Sequence, residues 1–85
     1  MVEVNVLKTQ MCPHCPRAAA VAKKVAAELG GVQVKETYLD TDPAGQEIAT
    51  KHEIMSVPTI LINDRVAFVG VPNESALRKA IEEAQ

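Results

Sequence analysis

The chain has 85 residues, enough for one small core, and its apolar content is mostly Val, Ala, Leu and Ile, with Tyr38 and Phe68 as the only aromatics. Nine basic against eleven acidic residues give a formal charge of −2 with no basic run. A phosphate-tracking surface has little to be built from, so nucleic acid is not an expected partner.

The stretch Met1–Val6 carries an early acid, alternates apolar and polar, and lacks the basic n-region and long apolar core of a signal peptide. Val2 to Leu7 is therefore predicted to be a strand, with Val2, Val4 and Val6 on one face and Leu7 on a partly covered second face. No segment approaches the roughly 20 apolar residues that cross a bilayer. No membrane association is expected, and a cytoplasmic location is.

A long helix is predicted to begin at the cysteine motif, with Pro13 in its first turn. Ala18, Val21, Ala22, Val25, Ala26 and Leu29 recur at helical spacing until Gly30-Gly31 stops it. Val32, Val34, Tyr38 and Leu39 mark a second strand. Asp42 followed by Pro43 signals the start of a short helix over Pro43–His52. After Pro58, Ile60–Ile62 and Val66–Val69 read as a hairpin joined by Asn63-Asp64-Arg65. Asn73 caps a last helix with the stripe Leu77, Ala80, Ile81 and Ala84, and with Glu74–Arg78 and Arg78–Glu82 spaced for weak ion pairs.

The order βαβαββα makes an α/β fold, one domain over 1–85. Its strand–helix–strand start implies a right-handed parallel crossover, and its hairpin is antiparallel, so a mixed four-stranded sheet with helices on both faces follows.

Cys12 and Cys15 are the only cysteines. Two are too few for a disulfide framework, and so short a loop makes a poor staple. Their chemistry is the better guide. Cys12 lies where a strand gives way to a helix, facing unpaired backbone N–H groups and the positive end of the helix dipole, which favour a thiolate. His14 can add positive charge beside it. Cys15, one turn along the predicted helix, is close enough to bond to Cys12 and more enclosed, so that one sulfur attacks and the other resolves.

Two plainer readings use the same residues: a pair of buried small apolar side chains, or zinc ligands. A zinc site needs four ligands, and only His14 and His52 stand beyond the two cysteines, without a second C-x-x-C. No metal is expected.

Cys12-Pro13-His14-Cys15 after a strand, Val57-Pro58-Thr59 before a hairpin, and Gly70 before the last helix resemble the thioredoxin and glutaredoxin superfamily. The likeness covers nearly the whole chain, and its size is similar to glutaredoxins and the short archaeal thioredoxin-like proteins. The resemblance implies a thioredoxin (glutaredoxin-like) fold in which Pro58 is cis and lies beside the active disulfide, while Val57 pairs through its backbone with the bound substrate. Catalytic roles then fall to Cys12, Cys15, Pro13 and His14, and substrate contacts to Met11, Val57, Pro58, Thr59 and Gly70. The implied activity is exchange of the Cys12–Cys15 dithiol or disulfide with disulfides in partner proteins. It needs no bound cofactor and takes electrons from a flavoprotein disulfide reductase, and the protein is expected to be a monomer.

Departures from the family pattern refine this. Met11, Pro13-His14 and Val6 stand where thioredoxins usually have Trp, Gly-Pro and a buried Asp. Glutaredoxins usually have Tyr at the place of His14, and an acidic or hydroxyl residue after a Gly-Gly near Gly70 that holds the glutathione backbone. Here Gly70-Val71-Pro72-Asn73-Glu74 offers a proline without N–H and an added negative charge. A glutathione-linked glutaredoxin is therefore the alternative enzyme. Outside catalysis, the rivals are a redox-switched interaction module and a metal carrier using Cys12, Cys15 and His14.

Met11, Met55 and Val57 read equally as core filler or as an adaptable apolar rim. His52, at a helix end, reads as structural. Lys8 and Arg17 read as solvated. Glu36 and Asp40, assigned to the second strand, are candidate proton acceptors for the resolving cysteine.

Overall fold

Residues 2–85 are described in a computed structural model of the chain; Met1, at the head of the predicted first strand, lies outside them. The elements are β1 (Val2–Lys8), α1 (Cys15–Leu29), β2 (Val32–Tyr38), α2 (Pro43–His52), β3 (Thr59–Ile62), β4 (Arg65–Val69) and α3 (Glu74–Ala84). The sheet runs β2-β1-β3-β4. β1 pairs parallel with β2 and antiparallel with β3, and β3 pairs antiparallel with β4.

Alternation along β1 sorts the two faces. Val2, Val4 and Val6, joined by Ile60 and Ile62, pack under α1 through Ala18, Ala22 and Val25 and under α3 through Leu77 and Ile81. Alanines dominate the inner side of α1, so that helix lies close to the sheet and the core closes without aromatic bulk. The opposite face, covered by α2, buries Leu7, Leu61 and the polar pair Asn5 and Thr37. Thr37 Oγ1 donates to Asn5 Oδ1 at 2.9 Å, so these buried polar atoms satisfy one another.

α2 spans the predicted residues because Asp42 caps it, accepting from the Ala44 N–H at 2.9 Å, with Pro43 in its first turn. Gly45 is what lets it approach β2. A Cβ at that position would overlap the backbone carbonyl of Tyr38. Gly45→Ala should therefore push α2 off the sheet and cost about 1–3 kcal/mol, the range for overpacking. Chemical denaturation checks this, and an unchanged unfolding midpoint would refute it.

Several boundaries differ from the sequence reading. β1 runs one residue past Leu7, β2 stops at Tyr38 so that Leu39 opens the turn, and β3 begins at Thr59. Two further shifts have local causes. α1 begins at Cys15 with His14 as its N-cap and Pro16 in the first turn, so Pro13 lies in the bend before the helix. Both prolines suit a first turn; the later one takes it, which leaves Pro13-His14 as a bridge between the cysteines. Arg65 belongs to β4, because Asn63 and Asp64 alone make the reversal, each with positive φ (49° and 66°). Two residues at positive φ match the strand twist of a tight hairpin, and Asn and Asp tolerate that conformation. Gly70 also has positive φ, and its N–H donates to the Pro58 carbonyl at 2.7 Å, extending the β3–β4 ladder by one rung.

α3 starts as expected, with Asn73 Oδ1 accepting from the Ser75 and Ala76 N–H groups. Leu77 and Ile81 are buried, whereas Ala84 is exposed. Arg78 pairs with Glu74 at 3.7 Å and with Glu28 of α1, so the second predicted pairing, to Glu82, gives way to a link between helices.

Candidate active site

Strand direction gathers the site. β1 carries the chain up to the cysteine loop, and its last paired residues face the start of β3, with Leu7 opposite Thr59. The loop after Lys8, the Val57-Pro58 segment and Gly70 therefore meet at one end of the sheet. The nine residues to which the resemblance gives catalytic or substrate-contact roles lie at that end.

Cys12 and Cys15 form a disulfide, with Cα atoms 5.5 Å apart. Cys15 is the first residue of α1 and is buried at 1% exposure, whereas Cys12 is partly exposed. This corrects the expected place of Cys15, which opens the helix and does not lie a turn along it. The consequence for the chemistry is small. Because Cys12 is bonded to a residue of the first turn, its sulfur sits at the helix N-terminus, where backbone N–H groups have no intrahelical acceptor. Pro16 removes one of those donors by lacking an N–H. His14 is exposed and its side chain makes no capping bond.

The Val57-Pro58 peptide is cis, as the resemblance implied. Pro58 and Thr59 are buried, and Thr59 Oγ1 donates to the Ser56 carbonyl at 2.7 Å. The Thr59 hydroxyl is thereby engaged within the turn that presents Val57, and the Gly70 N–H is engaged by Pro58. Both residues hold this turn in place. The Val57 N–H and C=O are taken up by no hydrogen bond among the described residues. Met11 and Met55 are 90% and 96% exposed, so neither is core filler.

Three charged residues behave differently from expectation. Lys8 is not solvated: its Nζ donates to Glu36 Oε1 at 2.6 Å and lies 4.7 Å from the Tyr38 ring centre. Lys23 reaches the other Glu36 oxygen at 3.0 Å. Asp40 lies in the turn beyond β2, where its carboxylate accepts the Gln10 N–H at 3.2 Å and ties the cysteine loop to the β2–α2 turn. Both acids offered as proton acceptors are thus committed to other bonds. Lys8 and Glu36 are far apart in sequence, and only the parallel register brings them together. A glycine in the first turn of a helix was the one sequence signal that could have exposed the role of Gly45.

The hydrogen bond from Lys8, then that from Lys23, holds the Glu36 carboxyl below its ordinary value, and the bond to Glu36 raises Lys8. A depressed carboxyl stabilises the fold above its unfolded pKa and loses that contribution as pH falls through the folded one; a raised ammonium contributes below its unfolded pKa and loses it as pH rises through the folded one. The cluster therefore supports the fold across the neutral range and fails on both flanks. Glu36→Gln should cost about 1 kcal/mol at pH 7, given that the groups are partly solvated, and the gap to the parent protein should close as acid protonates Glu36. Denaturant titrations at several pH values measure it, and a gap independent of pH would count against the pairing.

Among the described residues, no group of three or more His, Cys, Asp or Glu is gathered for a metal ion. Among the same described residues, no helix is long and apolar enough to cross a membrane.

A family model for the thioredoxin domain matches residues 2–82. The chain belongs to the thioredoxin family. It is 40% identical over 81 residues to a thioredoxin of Methanocaldococcus jannaschii, covering 95% of this chain and 93% of that one. A probable thioredoxin of Archaeoglobus fulgidus is 38% identical over 81 residues, covering 95% and 87%. In three dimensions the thioredoxin of Fasciola hepatica superposes with a TM-score of 0.76 at 23% identity, covering 99% of this chain and 81% of that one, a likeness of fold. With this membership and its C-x-x-C disulfide, the protein is a thiol-disulfide oxidoreductase, and the glutathione-linked reading gains no support from these matches.

Proposed function

We propose that Cys12 is the attacking sulfur and Cys15 the resolving one, in a cycle that reduces disulfides in partner proteins. The observation that carries this is the asymmetry of the pair: Cys12 is reachable from solvent at the helix N-terminus, while Cys15 is 1% exposed. In the reduced protein the Cys12 thiolate attacks a substrate sulfur, the substrate S–S bond breaks, and the departing sulfur takes up a proton. Cys15 then loses its proton and attacks Cys12 in the mixed disulfide, releasing the second substrate thiol and re-forming Cys12–Cys15. Two electrons and two protons reach the substrate. Pro13 and His14 bridge the two sulfurs, and a protonated His14 favours the Cys12 thiolate.

Substrate segments dock in an extended form on the open Val57 backbone, with Met11 adding apolar contact and Pro58, Thr59 and Gly70 holding that surface in place. Backbone pairing of this kind accepts many sequences. A flavoprotein disulfide reductase restores the dithiol, no bound cofactor takes part, and the protein works as a cytoplasmic monomer.

The direct test is alkylation of the reduced protein with iodoacetamide near pH 6 alongside insulin reduction by dithiothreitol. Cys12 should be labelled well before Cys15, and insulin reduction should accelerate. Equal labelling would remove the role assignment, and binding to disulfide proteins without turnover would mark an interaction module.

A further inference from the structure

We propose that Met11 and Met55 are sites of oxidation by hydroperoxides, and that their conversion to sulfoxides weakens docking of protein substrates while sparing the Cys12–Cys15 chemistry. This rests on the docking surface proposed above. Both side chains are almost wholly exposed, at 90% and 96%, more than any other large apolar side chain of the described residues. Both also border the site. Met11 precedes Cys12, and Met55 stands between two shallow hollows of about 230 Å3 each, one reaching Thr9, Leu39 and Val57 and the other Val66 and Val69.

Exposure matters because a thioether reacts with peroxide only where peroxide can reach it. The state of the cysteines matters too. In the disulfide form no free cysteine exists, so the thiolate that would otherwise consume oxidant is capped, and the thioethers are the oxidisable sulfur left at this end of the molecule. The step balances: the methionine sulfur forms an S–O bond as the O–O bond of hydrogen peroxide breaks, one oxygen stays on sulfur, and the other leaves as water. Sulfur loses two electrons and the peroxide gains them. The product replaces an adaptable apolar tip with a strongly polar one, which must be desolvated whenever a substrate covers it.

The experiment treats the disulfide form with dilute hydrogen peroxide, removes the oxidant, maps modified methionines by peptide mass spectrometry, and compares kinetics on insulin and on a small aromatic disulfide. Met11 and Met55 should each gain one oxygen. KM for insulin should rise about five- to tenfold, while turnover of the small disulfide moves less than about twofold. The variant carrying Met11→Leu and Met55→Leu, whatever its starting KM, should show no shift on peroxide treatment. Unmodified methionines, sulfoxides without a change in KM, or an equal peroxide effect in the double variant, which retains Met1, would each overturn the proposal. Failure of the untreated protein to reduce insulin would instead strike the proposed function on which it rests.

Discussion

Cys12→Ser should bring insulin reduction down to the background of dithiothreitol alone, while Cys15→Ser should stall the cycle one step later. A serine hydroxyl is not ionised near neutral pH and is a poor nucleophile toward sulfur, so without the Cys12 thiolate no mixed disulfide can begin. With Cys15 replaced, the first exchange still runs, because the more accessible sulfur is intact. Nothing then displaces the substrate. Mixed with disulfide-containing protein, the Cys15→Ser chain should accumulate a covalent adduct, visible on a non-reducing gel and released by dithiothreitol. Adducts from Cys12→Ser and none from Cys15→Ser would exchange the two roles.

Leu77→Ala should destabilise the fold by about 2–5 kcal/mol. α3 reaches the core through Leu77 and Ile81, both fully buried, so truncating one removes half of its buried apolar anchorage. The cavity left behind opens between α3, α1 and the sheet, where the alanines of α1 have no spare side chain to swing in. Against the roughly 5–15 kcal/mol that holds a small domain together, the loss is large. Leu77→Met, which keeps volume, should cost less than about 1.5 kcal/mol. Denaturant titration should show a lower midpoint at an unchanged slope for the alanine variant, and a loss below about 1 kcal/mol would mean that α3 contributes little to stability.

Much of this architecture was legible because local signals agreed. Asp42-Pro43 and Asn73 mark helix starts by chemistry that acts within three residues, and the caps form as read. The valines of β1 and the alanine stripe of α1 identified their own buried faces. The start of α1 was less legible, since Pro13 and Pro16 both fit a first turn. What remained hidden depends on neighbours far away in sequence: Lys8 finds Glu36 through the β1–β2 register, Asp40 holds Gln10 across two loops, and Gly45 meets the Tyr38 carbonyl only when α2 folds back. In the site, both cysteines and the cis proline were readable as a pattern. The engagement of Thr59 and Gly70 by the turn itself was not, because it follows from how the hairpin closes.

The far end of the sheet bears on how the working end can move. There Asn63 and Glu3 exchange bonds, the Asn63 N–H donating to the Glu3 carbonyl at 2.9 Å and the Glu3 N–H to Asn63 Oδ1 at 3.0 Å. Asp64 next to it takes Lys51 at 2.7 Å and His52 at 3.4 Å, so the tip of the hairpin latches the first strand and the end of α2 together. The molecule is thus asymmetric along its strands, fastened at one pole and built from loops at the other. A change confined to the cysteine loop would leave this latch untouched, because none of its bonds involves a residue of that loop.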